Sequence, residues 1–294
     1  MRNLFFRQNE AKFDDEVVRT CKNCGHSFAG RYCNHCGEKV IEPHERSSIF
    51  FVGSVVNAFT FLESKFLNTL FAILYRPGEY SRHFADGIRQ RYMKPVAFFF
   101  VANVIYFLFP LFETFNTTLY SQTNMQFYDG YTAPVAERKM KELNINWDEL
   151  NEKYQNESTN WAKTLIVVMA PLLALFYALF HLSKRWFFSD HLLMSFEFFS
   201  FLLFALNIIF PLFLYIIIYI CGWMGADLTS VFQDSFTFPT SVGFMLYYFY
   251  KSEMAFYDRK RWQAVVTALL LVFATIIVIT LYRFFLFYIT MWGI

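Results

Sequence analysis

Residues Leu192–Ile220 read LLMSFEFFSFLLFALNIIFPLFLYIIIYI. Twenty-nine residues run with a single charge, Glu197. About 20 consecutive apolar residues suffice to cross a bilayer as a helix. This stretch is too long for the core helix of a small soluble domain. Four other apolar stretches flank it: Val96–Phe112, Ala162–Leu182, about Phe236–Tyr250, and Ala264–Thr290. The first and the Phe236–Tyr250 stretch are short by the same standard; Leu192–Ile220 and Ala264–Thr290 must tilt, kink or protrude. Pro171 and Pro211 sit inside two of the long stretches, where a missing N–H and a ring clash kink a helix. Pro239 sits near the start of its stretch, where proline costs little.

Composition agrees. Of 294 residues, 56% are hydrophobic and 17% charged, against about 45–50% and about 25% in soluble domains. Disorder, collagen-like repeats and a secreted disulfide scaffold are excluded. A net charge of +2 gives no electrostatic case for a nucleic-acid partner. The expected fold is an all-α membrane protein, about five transmembrane helices in a bundle, with a small N-terminal zinc ribbon.

Residues 1–46 are polar and hold that ribbon. Cys21-Lys-Asn-Cys24-Gly25 is followed by Cys33-Asn-His-Cys36-Gly37, two C-x2-C knuckles eight residues apart. Each knuckle aims two sulfurs at one point, and its glycine permits a left-handed turn. Four thiolates complete a tetrahedron, so structural zinc on Cys21, Cys24, Cys33 and Cys36 is the reading. Disulfides, free thiols and a rubredoxin-like iron site are the alternatives. His26 and His35 read as surface residues, and Phe28 and Tyr32 as the ribbon's packing.

Basic residues set the orientation. Arg76, Arg82, Arg89, Arg91 and Lys94 precede the first stretch; Lys184 and Arg185 follow the second; Lys251, Arg259, Lys260 and Arg261 follow the fourth. With alternating spans these share one side. The other side holds residues 114–160, with seven acids against four bases, and residues 221–235, with no Lys or Arg. The expected topology is a multi-pass protein with the N-terminus cytosolic and the C-terminus extracytoplasmic. Residues 47–95 form an interfacial amphipathic helix and a basic junction, a sixth span being the rival for Ser47–Tyr75. Residues 96–294 form the membrane domain, with an extracytoplasmic segment at 114–160 containing one short amphipathic helix over Glu137–Lys153.

Two sets of residues stand out. Arg76, Arg82, Arg89, Arg91, Tyr92 and Lys94 suit the membrane interface and lipid headgroups. Glu197 is an intramembrane carboxylate and is expected to face the bundle near His181 or Asn103, rather than lipid. Ser200 and Asn207 share its helical stripe, and Asp190 and His191 precede it. Cys221 is an isolated thiol, and Arg283 snorkels outward or meets an external acid. No nucleotide loop, metalloprotease or hydrolase motif is present.

The paired ribbon, the junction Arg76-Pro77-Gly78-Glu79-Tyr80 … Gly87-Ile-Arg89-Gln-Arg91-Tyr92-Met-Lys94-Pro95, and Asp190-His191-Leu-Leu resemble DUF family 3667, bacterial membrane proteins of unknown function. The resemblance implies a bacterial cytoplasmic (inner) membrane and supplies no activity. Family members tend to carry further histidines after the acidic-His pair; here Glu197 and Phe199 stand there. Three functions follow: a scaffold or adaptor whose ribbon recruits a protein partner, a transporter or channel using the cluster around Glu197, and an intramembrane enzyme acting on lipid. The first is the leading expectation.

Overall fold

A computed structural model describes residues 14, 16–40, 64–109, 115–182, 185–223 and 234–294. The chain divides into two units, Met1–Leu62 and Glu63–Ile294.

In the first unit, β1 (Val18–Thr20) pairs antiparallel with β2 (Ser27–Ala29), and Arg19 faces Phe28. A second, one-residue bridge joins Tyr32 and Lys39. The tiny core consists of Phe28, Cys21 and Cys33 with Val40 against them. Tyr32 does not share it, being 59% exposed.

The second unit is helical. Helix α1 spans 64–75; α2 is Glu79–Ala85, α3 Pro95–Leu108, α4 Leu119–Asn124, α5 Asp129–Leu143 and α6 Trp147–Leu165. A 3₁₀ turn at Ile166–Val168 leads into α7 (Met169–Phe180). Helix α8 (Phe188–Phe201) widens into a π-helix over Leu202–Ile209 and continues as α9 (Phe210–Trp223). Helices α10 (Asp234–Ala255) and α11 (Arg261–Gly293) complete the chain.

Both helix irregularities have a proline beside them. Pro171 cannot donate to the carbonyl of Val167, and the 3₁₀ turn lies there. Pro211 likewise leaves Asn207 O without its donor, and the π-helix ends two residues earlier. Within it, Asn207 Nδ2 donates to Leu202 O at 2.8 Å. Asn207 thus serves its own helix.

Among the described residues, three helical segments are long and apolar enough to cross a membrane: Trp147–Phe180, Phe188–Trp223 and Arg261–Gly293, with mean hydropathy 2.1, 2.7 and 2.9. Three of the five expected spans meet that standard. Helix α3 is apolar but has 14 residues, about 21 Å against a hydrocarbon core of about 30 Å. Helix α10 has 22 residues, but Asp234, Lys251 and Glu253 dilute its apolar character. The long helices bare wide apolar faces, including Leu269, Phe273 and Ile276 on α11 and Phe213 and Ile216 on α9. Contiguous apolar surface of that kind belongs against lipid.

The helices alternate in direction. The end of α7, the start of α8, the end of α10 and the start of α11 meet at one face, where His181, His191, Glu253 and Tyr257 are in contact. Helix α2 and the entry to α3 join them there. At the opposite end α4, α5 and α6 form a platform. Leu119, Ala136, Leu150 and Tyr154 pack there on Phe287 and Met291 of α11. The one amphipathic helix expected over Glu137–Lys153 is two helices. Asn144 ends α5 in the left-handed region (φ 54°), and the Asn146 side chain caps α6 by accepting from Glu149 N–H at 2.9 Å.

Helix α1 is two-faced. Thr69 and Ile73 are buried and Phe66 and Leu70 pack on the core, while Ser64, Asn68 and Tyr75 are exposed. The remainder of the interfacial helix expected over 47–75 lies outside the described residues, as do the flanks 1–13 and 41–46 of the ribbon.

Candidate functional site

The two knuckles repeat one backbone design. Cys21 N–H donates to His26 O and Gly25 N–H to Cys21 O; Cys33 N–H donates to Glu38 O and Gly37 N–H to Cys33 O, all at 2.8–2.9 Å. Gly25 and Gly37 take φ of 73° and 78°, a region that costs residues with a Cβ about 1–2 kcal/mol. The folded knuckles bring all four Sγ atoms within 4.8 Å of one another. Cys21–Cys36 and Cys24–Cys33 are 3.5 and 3.7 Å apart. A disulfide needs about 2.05 Å, whereas zinc–sulfur bonds of about 2.3 Å in a tetrahedron set sulfurs about 3.8 Å apart. The four cysteines fit a metal ion and do not pair as disulfides. The Glu38 amide holds the Cys36 thiol below its ordinary range, at about 6, while Cys24, against the pull of the His26 amide, is pushed up to about 12 by burial and the neighbouring thiols. His26 and His35 stack on each other at 5.3 Å.

The second site lies in the helical body. Glu197 is wholly buried on α8, as expected of a bundle-facing residue, but its partners are neither His181 nor Asn103. Its Oε1 accepts from Gly78 N–H at 2.6 Å and its Oε2 from Ser81 N–H at 2.9 Å. The carboxylate closes the N-terminus of α2, where amides lack intrahelical acceptors and the dipole favours negative charge. Pro77-Gly78 makes the approach close: Gly78 has φ 86°, and a Cβ on it would lie 2.7 Å from Ser252 Cα on α10. Asn103 instead donates to Lys163 O at 2.9 Å, tying α3 to α6. Ser200 bonds back to Phe196 O. Asp190 accepts from Phe187 N–H at 2.9 Å and caps its own helix. Of the expected cluster, only His181 and His191 come together, with ring centroids 6.0 Å apart.

Two residues read as loop in sequence complete their surroundings. Glu253 and Tyr257 follow the apolar run of α10, whose hydropathy falls after Tyr250. The missed signal was helical spacing for Glu253, at i+4 from Phe249; Tyr257 lies past the end of α10 at Ala255, in the turn before α11. His181 Nε2 and Glu253 Oε2 are 2.8 Å apart, both side chains buried. His181 Nδ1 lies 2.9 Å from Tyr177 O; a carbonyl only accepts, so Nδ1 carries a proton. The second nitrogen then shares one proton with Glu253, as imidazolium–carboxylate or as imidazole–carboxylic acid. Tyr257 stacks on His181 at 3.7 Å, and its hydroxyl lies 2.7 Å from His191 Nδ1. Burial, then the Glu253 charge, push the Tyr257 phenol well above its ordinary value, so its hydroxyl stays protonated beside His191 Nδ1. Glu253 Oε1, Tyr177 OH, Tyr248 OH and Ser81 Oγ are buried with no partner at hydrogen-bond distance among the described residues. The Ser81 and Tyr248 hydroxyls nonetheless face Glu197.

The junction residues divide into an exposed set and a packed set. Arg76, Arg89, Arg91 and Lys94 are exposed. Tyr92 is buried, its hydroxyl 3.2 Å from His83 Nδ1. Arg82 points inward, donating to Phe256 O at 2.7 Å and pairing with Asp86 and Asp258. Tyr80 donates to Met93 O at 2.7 Å, and Met93 N–H donates to Thr69 Oγ1 at 2.9 Å, so the turn before α3 is clamped from both sides. Arg283 is half-buried, near Tyr106, Tyr128 and Tyr282.

The family model described as "Protein of unknown function (DUF3667)" matches residues 63–107. The match takes in α1, α2, the junction and nearly all of α3, and so bears out the resemblance read from Arg76–Pro95. No curated protein and no solved structure matches the chain.

Proposed function

We propose that the chain is an integral membrane adaptor: a ribbon closed by structural zinc recruits a protein partner to a membrane-embedded helical body. The observation that carries this reading is the four-sulfur cluster. Four thiolates fill a tetrahedron and leave no position for water or substrate, so the ion serves the shape of a small module. In this reading the membrane is a bacterial cytoplasmic membrane. The N-terminus is cytosolic, the C-terminus extracytoplasmic, and α3 and α10 complete the crossing alongside the three long helices.

The test is crosslinking of the full chain in native membranes, then purification in mild detergent. A partner recovered with the parent chain and lost in a Cys33→Ser/Cys36→Ser double variant that still inserts supports the adaptor. Equal recovery with both chains overturns it.

A second reading, proton-coupled transport, is favoured by one feature: His181 and Glu253 share a proton inside the body beside buried hydroxyls with no partner. Glu253→Gln separates the two readings. It abolishes the function of a transporter while leaving partner recovery intact.

A further inference from the structure

Trp147–Phe180 and Phe188–Trp223 are long and apolar enough to cross a membrane, and the end of the first and the start of the second meet at one face. A cavity of about 310 Å³ opens there, lined by His181, Leu182, Arg185, Trp186, Tyr257 and Arg259. Its polar wall is cationic. Arg185 lies 4.7 Å over the Trp186 ring and Arg82 5.7 Å over the same ring. Asp258 holds both guanidinium groups, at 2.8 Å from Arg185 and 3.3 Å from Arg82. It does so from the left-handed region, with φ 55°, a conformation an aspartate keeps only when its surroundings hold it there.

The charges do not cancel. Arg82 has a second acid in Asp86, at 3.2 Å. The His181–Glu253 pair is neutral as a unit, since it holds one shared proton. Asp258 is shared between Arg185 and Arg82. Arg259 donates to a carbonyl, Phe180 O, at 3.1 Å. Among the described residues no carboxylate lies within ion-pair distance of it. The cavity therefore presents a half-buried guanidinium without a counter-charge, next to a second one fixed by stacking and by Asp258.

We propose that this cavity binds a phosphate group at the membrane face. A planar guanidinium donates two parallel N–H groups and suits a tetrahedral oxyanion better than a point-charge lysine does. Basic pockets between helix ends are where anionic headgroups lodge. The volume exceeds a bare carboxylate's need and admits a phosphodiester with its glycerol. Leu182, 86% exposed at the rim, offers apolar contact to what lies above it, and Trp186 supplies an amphipathic wall. Phosphate could come from a lipid headgroup or from solution. The site is independent of the ribbon and of the adaptor reading.

The test uses the full chain in mild detergent, with thermal unfolding and native mass spectrometry as readouts. The probes are phosphatidylglycerol, phosphatidylcholine and inorganic phosphate. Phosphatidylglycerol is expected to raise the unfolding temperature and remain as an adduct, where phosphatidylcholine does neither. Arg259→Gln keeps a donor for Phe180 O and removes the charge; roughly fivefold or greater weakening is expected. Arg185→Gln, at a side chain more than half exposed, should act in the same direction if Arg259→Gln does not fold. Arg138→Gln on α5, at the opposite end, should leave binding unchanged. A shift reproduced by inorganic phosphate assigns the site to a soluble anion, and a shift confined to phosphatidylglycerol assigns it to a headgroup. No shift with either probe, or equal loss in the Arg138 and Arg259 variants, overturns the proposal.

Discussion

Glu197 and Gly78 are 119 residues apart in the chain and 2.6 Å apart in space, carboxylate oxygen to backbone nitrogen. With Ser81 N–H on the other oxygen, one side chain of α8 fixes the start of α2. Hydrogen bonds to a charged group contribute about 1.5–3 kcal/mol. Glu197→Gln keeps the shape but offers one acceptor oxygen, so a loss of about that size is expected in thermal unfolding of the purified chain. Unchanged unfolding would remove the carboxylate from the junction's support.

Gly78 and Gly87 make a matched pair. Both have positive φ, 86° and 90°, but only Gly78 is crowded, with Ser252 Cα 2.7 Å from where a Cβ would stand; Gly87 has nothing within 4 Å. Gly87→Ala should cost about 1–2 kcal/mol, the left-handed strain alone. Gly78→Ala should cost clearly more, because backbone on α10 has to move. Protease protection of the two variants in membranes distinguishes them, and equal effects would mean that α2 and α10 are not in contact.

The His181–Glu253 pair should show strong coupling. Removing one member of a buried pair costs about 3–5 kcal/mol because it strands the other. Glu253→Leu and His181→Leu are each expected to destabilise by that order, and the double variant by less than either. Additive losses in a double-mutant cycle would refute a shared proton.

Purified chain should carry one zinc ion, removable by chelators and absent from the Cys33→Ser/Cys36→Ser variant. Retention of zinc in that variant would move the site away from these cysteines.

How much of this could be read beforehand follows from the range of each interaction. The knuckles were legible because their ligands and glycines lie within 17 residues, Cys21 to Gly37, and the chemistry depends on local spacing. The long helices were legible from hydropathy, and the two kinks from Pro171 and Pro211. The burial of Glu197 followed from the cost of a carboxylate in lipid. Its partner did not: a backbone N–H has no signature in sequence, and the acceptor for Gly78 comes from a helix more than a hundred residues away. Glu253 was missed because falling hydropathy was taken as the end of α10, whereas the helix runs on to Ala255; Tyr257, past that end, reaches His181 and His191 from the turn before α11. Among the described residues, length and hydropathy single out only three of the five expected spans for a related reason. Length and hydropathy judge a helix alone, and α3 and α10 are covered by neighbours, with Phe98, Phe99, Tyr248 and Phe249 wholly buried.

Helix α11 has 33 residues, about 50 Å of rise, with no proline and no glycine before its last position. The other two long segments each contain a break that can absorb bending, the 3₁₀ turn or the π-helix. α11 contains none. Its first turn adjoins Asp258 and Arg259 at one face, and its last turns pack on the platform at the other. It behaves as a stiff lever: a 5° tilt would carry its far end about 4 Å, roughly the diameter of a side chain. A tilt of α11 begun beside the cationic cavity would thus displace the platform packed on its last turns.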